Sequence, residues 1–299
     1  MLVGTTASGK SALALEVARR LGDVEIVSAD SMQVYRGMDV GTAKPTAEEQ
    51  AEVPHHLLDV ADPSEDYSVA RYQAEVRLVL DDIERRGRRA LVVGGTGLYV
   101  RAAVDDLAVP GSWPALRRTL EEEASTAAGV ASLHRRLAHA DPVAAARMQP
   151  TNARRIVRAL EVTEGSGRPF SAYGPGLGAY PVSPFRMVGV WLPRLAVATR
   201  IAERYRRQMT AGFVAEVRRL AAGAELSRTA RQALGYRELL VHVAGRCPLD
   251  DAVDAAVRRT RSFARRQRVW FRRDPRITWL ASAGNPFEVL PALLGNWSR

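Results

Sequence analysis

The sequence predicts an α/β protein built on a parallel sheet. A glycine-rich loop opens the chain directly after a short apolar run, and a helical pattern follows it. Short apolar runs then alternate with amphipathic helical stretches through the first third of the chain. Because strands that alternate with helices form doubly wound parallel sheets, this order predicts the fold class.

The elements of this sheet follow in chain order. Residues 24–28 form an apolar strand that ends just before Asp30, and residues 90–93 form another that runs into two glycines. Helical spacing over 69–86 ends at Gly87, a typical C-cap residue. The predicted strands lie at 2–3, 24–28, 90–93 and 186–192, and the predicted core helices at 11–21 and 69–86.

The middle of the chain has a different character. A breaker cluster at 110–114 precedes a stretch rich in Ala, Arg and Glu, 115–164, which has a helical pattern almost throughout. Residues 165–184 are rich in Gly and Pro and predict a loop, and helical patterns return over 199–273. We therefore expect the first part of the core at 1–112, a helical insertion domain at 113–184, and the rest of the core with a helical C-terminal region at 185–299.

The chain is basic, with a strong preference for arginine. It has 299 residues, a formal net charge of +10 and a sequence pI of about 10.4, and only Lys10 and Lys44 among its 43 basic residues are lysines. The charge indicates a polyanionic partner, although a basic solvated surface explains it equally well. Cys247 is the single cysteine, and the sequence has neither a membrane-length apolar run nor a signal-peptide pattern. We expect a cytoplasmic protein without a membrane anchor.

The glycine-rich loop matches the phosphate-binding pattern G-x-x-x-x-G-K-[ST] between a strand and a helix. Glycines let the backbone amides turn towards phosphate oxygens, and the helix N-terminus adds its dipole. Lys10 is expected to contact the terminal phosphate, and the Ser11 hydroxyl to ligate Mg²⁺. The sequence thus predicts a P-loop NTPase-like core. The predicted phosphate-binding residues of the loop are Gly4, Thr5, Thr6, Ala7, Ser8, Gly9, Lys10 and Ser11.

Two further polar residues follow strands that end at the same edge of the sheet. Asp30 lies past the strand at 24–28, and Thr96 lies in the glycine turn after the strand at 90–93. Ligands bind at this edge of parallel sheets, so Asp30 is a candidate metal partner or general base, unless it caps a local turn. The strand at 90–93 ends without the carboxylate that NTP-hydrolysing P-loop proteins use to hold Mg²⁺, which argues against ordinary NTP hydrolysis.

Seven segments in a fixed order carry a more specific signature. They are GTTASGKS at 4–11, DSMQVYRGMDVGTAKP at 30–45, PHHLLDVADPSEDYS at 54–68, LVVGGTGLYVRA at 91–102, DPVAAARMQPTNARRIVRALEV at 141–162, QALGYRE at 232–238 and RRQRVWFRR at 265–273. Together they resemble the tRNA dimethylallyltransferase (tRNA isopentenyltransferase) family over nearly the whole chain. The chain departs from that family where Thr5 replaces a more usual proline, which removes no chemical group.

The resemblance implies a reaction and a set of roles. A monomer would use Mg²⁺ to transfer a dimethylallyl group from dimethylallyl diphosphate to the N6 amine of the adenine 3′-adjacent to the anticodon in tRNA. Asp30 would accept the proton of the amine, and Thr96 would orient the base. Lys10 would neutralise the diphosphate. Arg200, with Arg204 one turn later, is our own candidate for further neutralisation, although two arginines four residues apart also commonly form a solvated helix face. The implied tRNA contacts are Asp30, Ser31, Met32, Gln33, Thr96, Arg117, Arg154, Arg155, Ile156, Val157, Arg158, Gln232, Gly235, Tyr236, Arg237, Arg265, Arg266, Gln267, Arg268 and Arg272.

Periodicity supports an RNA-facing surface near the C-terminus. Arginines at 258, 261, 265, 268 and 272 recur every three or four residues and share a helix face of about 80°. Phe263 and Trp270 fall on another face, where we expect them to pack inward. Such a stripe suits a phosphate backbone, and its alternative is a solvated basic face. The histidines lack metal-ligand spacing, so no zinc site is predicted.

Three other functions fit parts of this sequence. A small-molecule kinase would use the same P-loop but would not need the arginine stripe. A prenyltransferase acting on free adenine nucleotides would need neither the insertion nor the basic C-terminal region. A non-catalytic RNA-binding protein with a relict P-loop would not be expected to keep Lys10, Ser11, Asp30 and Thr96 together.

Overall fold

A computed structural model describes residues 1–105, 107–174 and 176–297. Within them, one parallel sheet has the strand order β3-β2-β4-β1-β5-β6. β1 thus lies in the middle of the sheet, between β4 and β5, and the predicted P-loop α/β fold class is confirmed. The strands are β1 Leu2–Gly4, β2 Val24–Ala29, β3 His55–His56, β4 Arg89–Gly94, β5 Met187–Trp191 and β6 Ile277–Ala281.

Helices occupy most of the rest of the described chain. They are α1 Lys10–Leu21, α2 Ala47–Glu52, α3 Val69–Arg85, α4 Gly97–Val104, α5 Pro114–Glu123, α6 Ala127–Ala140, α7 Pro142–Ala146, α8 Ala153–Ser166, α9 Arg194–Thr210, α10 Phe213–Ala222, α11 Arg228–Arg231, α12 Tyr236–Val243, α13 Leu249–Phe271 and α14 Leu290–Trp297. One hydrophobic core packs Leu13 and Val17 of α1 against the sheet and Leu293 of α14. Among the described residues, no helix is both long and apolar enough to span a bilayer.

The sequence pattern does not predict β3 and β6, the two edge strands. β3 consists of two histidines, His55 and His56, which are both half-buried, so it shows no apolar alternation. In β6 only the first residue, Ile277, is buried, so the strand has a weak hydrophobic pattern. His56 Nε2 contacts a Glu25 carboxylate oxygen at 2.7 Å, which ties β3 to its neighbour β2.

The chain divides into two compact units. The first consists of Met1–Asp105 and Val182–Arg299 and contains the sheet, and the second is Asp106–Pro181 and contains α5 to α8. The sequence predicts the insertion at 113–184. The second unit begins earlier because the segment before α5 packs on α8: Arg158 donates to the Pro110 carbonyl at 3.0 Å, and the Ser112 hydroxyl donates to Glu161 at 3.2 Å.

Candidate active site

The P-loop connects β1 to α1, as the motif requires. Ala7 and Gly9 adopt left-handed backbone conformations, with φ of 60° and 86°. Gly9 is the N-cap of α1 and no side chain caps the helix, so the helix dipole and its first amides face the loop uncovered. The Ser8 hydroxyl is buried without a hydrogen-bond partner among the described residues. The loop therefore has the geometry of an anion site.

Three side chains from later helices hold the loop. Arg200 Nε donates to the Ala7 carbonyl at 2.9 Å, and Arg204 Nη1 donates to the Thr6 hydroxyl at 3.0 Å. Both arginines come from α9, one turn apart, and the structure places them beside the loop where the sequence analysis expected them. The third side chain is Gln267 of α13, whose Oε1 accepts from the Thr6 amide at 2.8 Å.

The loop carries an excess of positive charge. Burial lowers the pKa of the Lys10 amine, the negative charge of Asp30 raises it, and the positive charge of Arg204 lowers it again. Lys10 is therefore close enough to Asp30 and Arg204 for their charges to affect its protonation. In the described part of the chain, the buried Nε of Arg204 has no hydrogen-bond partner. Because buried donors without partners are costly, this arrangement favours a bound anion.

Asp30 and Thr96 lie at the ends of neighbouring strands. Ala29 of β2 pairs with Gly94 of β4, so the residues after each strand meet at the sheet edge. Asp30 Oδ1 accepts from the Met32 amide at 2.9 Å, an Asx-type turn that fixes the carboxylate. Thr96 is the N-cap of α4 but does not cap it; instead its hydroxyl accepts from the Ser31 amide at 3.1 Å. This bond joins the Asp30 turn to the Thr96 turn.

Residues 31–61, which we call the long loop, follow Asp30 along the chain. They include the short helix α2 and the edge strand β3. Gln33 is buried inside it: its Oε1 accepts from the Ser28 hydroxyl at 3.0 Å, and its Nε2 donates to the Thr42 carbonyl at 3.4 Å. The Lys44 ammonium contacts carboxylate oxygens of Asp39 at 2.5 Å and Asp59 at 2.6 Å. Lys44 thus cross-links two distant parts of the loop.

Glu216 of α10 anchors the long loop to the helices. Its buried carboxylate accepts from the backbone amides of residues 39, 40 and 41 at 2.8 to 3.1 Å and from the Tyr236 hydroxyl at 2.6 Å. Gln208 of α9 adds donors to the carbonyls of residues 40 and 41. Glu216 is not among the site residues that the sequence predicts. Glu216 lies three residues after Phe213 and one before Val217, which places an acidic side chain on the apolar face of α10. An acid on an apolar helix face indicates a buried polar contact.

Comparison with known proteins identifies the family of this chain. A family model described as IPP transferase matches residues 33–274, which is most of the chain. The chain belongs to the IPP transferase family.

Its relatives in this family cover almost the whole chain. The chain is 51% identical to a tRNA dimethylallyltransferase of Streptomyces coelicolor over 293 residues, covering 98% of this chain and 93% of that protein. It is 47% identical to one of Geobacter metallireducens, covering 98% and 95% of the two chains. A crystal structure of the full-length tRNA isopentenylpyrophosphate transferase of Bacillus halodurans superposes with a TM-score of 0.69 at 37% identity, covering 98% and 94%.

The predicted RNA contacts of this IPP transferase family member differ in exposure. Of those in the first unit, Gln232, Arg237, Arg265, Arg266 and Arg272 are exposed, and Ser31, Met32 and Thr96 are half-buried beside Asp30. Arg268 is half-buried, with its guanidinium 4.0 Å from the Trp191 ring centre. These side chains are accessible to a polyanion, and their role in binding tRNA stays a prediction.

Six of the predicted tRNA contacts are buried in the protein, and their part in binding tRNA stays a prediction. Gln33, Tyr236 and Gln267 use their polar groups inside the protein, as described above, because each ties a loop to a helix or strand. Gly235 is buried as the N-cap of α12. Ile156 and Val157 pack in the core of the second unit. Sequence motifs identify such residues without showing which way they point.

The C-terminal arginine stripe is only partly a surface. Arg258, Arg261, Arg265 and Arg272 are exposed on α13, but Arg268 also donates to the Leu192 carbonyl at 2.5 Å. Phe263 and Trp270 are half-buried, as their position on another face predicted, and the Trp270 indole lies against Gly97. The exposed members suit phosphate binding better than Arg268, which already holds the end of β5.

In the second unit, a buried glutamate organises the predicted contacts. Glu161 is fully buried on α8, accepts from the Trp113 amide at 2.8 Å, and pairs with Arg117 at 2.7 Å and Arg158 at 2.9 Å. Both arginines remain about one third exposed. Arg154 and Arg155 are exposed at the start of α8. Glu161 therefore orients two of the four arginines.

The site suits a divalent cation bound mainly through phosphate. Ser11 is exposed in the first turn of α1, and one Asp30 oxygen is already committed to the Met32 amide. No group of three or more His, Cys, Asp or Glu in the described residues forms an all-protein metal site. Mg²⁺ commonly takes one or two protein oxygens and otherwise binds phosphates and water, so the donors present fit it.

Proposed function

We propose that this protein transfers a dimethylallyl group from dimethylallyl diphosphate to the N6 amine of the adenine 3′-adjacent to the anticodon in tRNA, releasing diphosphate. The observation that carries the proposal is the pairing of a cationic P-loop with the Asp30 carboxylate on one sheet edge, in a chain of the IPP transferase family. The related tRNA dimethylallyltransferases align over nearly its full length.

At the donor end, the bond between the allylic carbon and the diphosphate oxygen breaks, and charge grows on the leaving group. Lys10 of the P-loop, with Arg200 and Arg204 beside the loop, stabilises that charge together with the loop amides. Since the arginines are already held by the Ala7 carbonyl and the Thr6 hydroxyl, little reorganisation is needed when charge develops. Such preorganised positive groups commonly contribute a large share of the rate.

At the acceptor end, the adenine amine forms a bond to the allylic carbon and loses a proton. Asp30 takes that proton, and the Met32 amide holds the carboxylate in place as it does so. Thr96 orients the base from the neighbouring strand end. The ionic balance is complete, because the proton goes to Asp30 and the negative charge leaves with the diphosphate.

Ser11 would hold Mg²⁺ with the diphosphate oxygens, and the ion would supply charge neutralisation to the leaving group. The Ser11 position at the first turn of α1 puts its hydroxyl next to the phosphates that the loop amides bind.

The acceptor is a base in a stacked RNA loop, so it must leave the stack to reach Asp30. Exposed arginines on α13, among them Arg265, Arg266 and Arg272, supply contacts to the RNA backbone. In the second unit, Arg154 and Arg155 offer the same chemistry. Affinity for tRNA should therefore fall steeply with salt.

The test is transfer of radiolabelled dimethylallyl from its diphosphate to unmodified tRNA with Mg²⁺ and without ATP. Free AMP serves as an alternative acceptor, and the Asp30→Asn variant tests the base. Asp81→Asn, at an exposed site on α3, is the matched control. We expect label in tRNA and none in AMP, a loss of about 10²- to 10⁴-fold with Asp30→Asn, and no change with Asp81→Asn.

Two results would contradict the proposal. If a folded, tRNA-binding preparation placed no label in tRNA, the transferase function would be excluded. If Asp30→Asn kept the activity of the control variant, the reaction would stand and the assignment of Asp30 as the base would fall.

A further inference from the structure

Gln267 spans the gap between the two loops of the site. Its Oε1 accepts from the Thr6 amide of the P-loop at 2.8 Å, and its Nε2 donates to the Gly95 carbonyl at 2.8 Å. The side chain is 6% exposed and its carboxamide is used at both ends. One rigid planar group therefore sets the separation between the P-loop and the turn that carries Thr96.

The Gly95 position is shaped to admit this bridge. A Cβ there would lie 2.6 Å from Gln267 Nε2, 3.1 Å from the Gly4 carbonyl and 3.5 Å from Lys10 Nζ. Any side chain at this point would push the carboxamide away from the Gly95 carbonyl. The start of the P-loop, its lysine and the bridging amide thus converge on one glycine.

A second contact on the same helix face supports the bridge. Trp270 follows Gln267 by three residues on α13, and its indole occupies the space that a Cβ at Gly97 would take, at 2.2 Å. Residues three apart lie on one face of a helix. One face of α13 therefore packs against both Gly95 and Gly97, and Thr96 lies between these two glycines.

We propose that Gln267 is a positioning residue for the transfer reaction: its carboxamide fixes the distance between the P-loop, which holds the donor, and the Thr96 turn, which orients the acceptor. This inference rests on the proposed function. It assigns Gln267 a role inside the protein, in place of the direct RNA contact that its place in the RRQRVWFRR segment predicts. Transfer reactions are sensitive to misplacement of this kind, since about 1 Å can cost 10²-fold in rate.

The experiment uses the full chain with Gln267→Met, which keeps the length of the side chain and removes both hydrogen bonds. Gln73→Met is the matched control, because Gln73 is a buried glutamine on α3 that donates to the Asp105 carbonyl, away from the P-loop. Three quantities are measured for each variant: the Kd for magnesium diphosphate, the Kd for tRNA, and kcat with the KM for dimethylallyl diphosphate.

We expect Gln267→Met to weaken diphosphate binding about tenfold and to lower kcat about 10- to 100-fold, with the Kd for tRNA within about twofold of wild type. Gly95→Ala, which displaces the same carboxamide, should reproduce this pattern. The double variant should be no worse than the more affected single variant, because both changes break one bridge. Gln73→Met should lower the melting temperature alone.

If Gln267→Met weakened tRNA binding and left diphosphate binding unchanged, the proposal would be overturned. The result would then favour a direct contact of Gln267 with RNA. Wild-type kinetics in a folded Gln267→Met variant would overturn it as well. If that variant does not fold, Gly95→Ala decides. Diphosphate binding reports the bridge whether or not the wild-type protein prenylates tRNA, so failure of the proposed function remains distinguishable from failure of this inference.

Discussion

The P-loop and the long loop lie at the same edge of the sheet, but different interactions hold them. The P-loop is eight residues long and takes its shape from the left-handed Ala7 and Gly9 and from a few hydrogen bonds. The long loop spans 31 to 61 and is held by charged groups: Glu216 on three amides, Lys44 between two aspartates, and the Glu25–His56 contact at its end. The P-loop is thus set by backbone conformation and by single hydrogen bonds from α9 and α13, whereas the long loop is held mainly by ionic groups.

This difference has a consequence for substitutions. In the P-loop, a change should impair ligand binding and chemistry while leaving the fold intact, since few side chains there support the core. In the long loop, a change at a charged contact should first cost stability, because removing one partner leaves buried polar groups unpaired. Four predictions test this contrast, in order of expected size.

The largest effect is expected at Lys10. Replacing it by methionine should lower kcat/KM about 10²- to 10³-fold, because a preorganised cation at the leaving group is lost. The melting temperature should change little. Steady-state kinetics and thermal unfolding measure the two quantities side by side. Arg20→Met, an exposed cation on the same helix, is the control and should keep wild-type kinetics. Activity within about threefold of wild type in Lys10→Met would mean that the P-loop is not the donor site.

Next in size is Glu216→Ala. Three backbone amides and the Tyr236 hydroxyl lose their acceptor, which should cost about 2–4 kcal/mol of unfolding free energy. Tyr236→Phe removes one of these bonds and should cost about 1 kcal/mol. Urea unfolding gives both values. Glu203→Ala, exposed on α9, should stay within about 0.5 kcal/mol of wild type. Equal stabilities for the Glu216 and Glu203 variants would refute the anchor.

A smaller, pH-dependent effect is expected at Glu25. The Arg86 guanidinium, together with His56, lowers the pKa of Glu25 to about 2, well below its ordinary value of 4.5. A depressed carboxyl pKa stabilises the fold above the unfolded-state pKa and loses that contribution as the pH falls. Unfolding free energy should therefore drop by about 2 kcal/mol between pH 5 and pH 2, and Glu25→Gln should flatten this part of the curve.

The exposed Glu52, which pairs with Arg19, provides the comparison for Glu25. Its removal by Glu52→Gln should leave the acid limb of the curve almost as steep as in the wild type, because solvent screens an exposed pair. An acid limb that is flattened as much by Glu52→Gln as by Glu25→Gln would show that the buried contact has no special part in acid stability.

The smallest of the four effects is expected at Lys44. Lys44→Met removes the cation between Asp39 and Asp59, but both carboxylates are about half exposed and can be rehydrated. We expect a loss of about 1 kcal/mol in urea unfolding. Arg36→Met, an exposed cation of the same loop, is the control and should have less effect. A larger loss for Arg36→Met would place the main cross-link of the loop elsewhere.

The sequence predicted the parts of this molecule that local pattern determines. The P-loop, β2, β4 and the strand at 187–191 follow from apolar runs and glycines, and Asp30 and Thr96 follow from the strands they end. What it did not predict depends on partners far along the chain. β3 and β6 are edge strands with weak patterns, and Glu216 acts on a loop about 175 residues earlier. The direction of a side chain, as at Gln33 and Gln267, depends on such partners too.

The scarcity of lysine has a practical consequence for chemical labelling. The Lys44 side chain is 3% exposed and held between two carboxylates, so acylating reagents cannot easily reach it. Lys10 is the other lysine, and burial lowers the pKa of its amine. Amine-directed probes should therefore modify the donor site selectively among the lysines, and a bound diphosphate should shield it. Surface attachment is better directed to Cys247, a half-buried thiol.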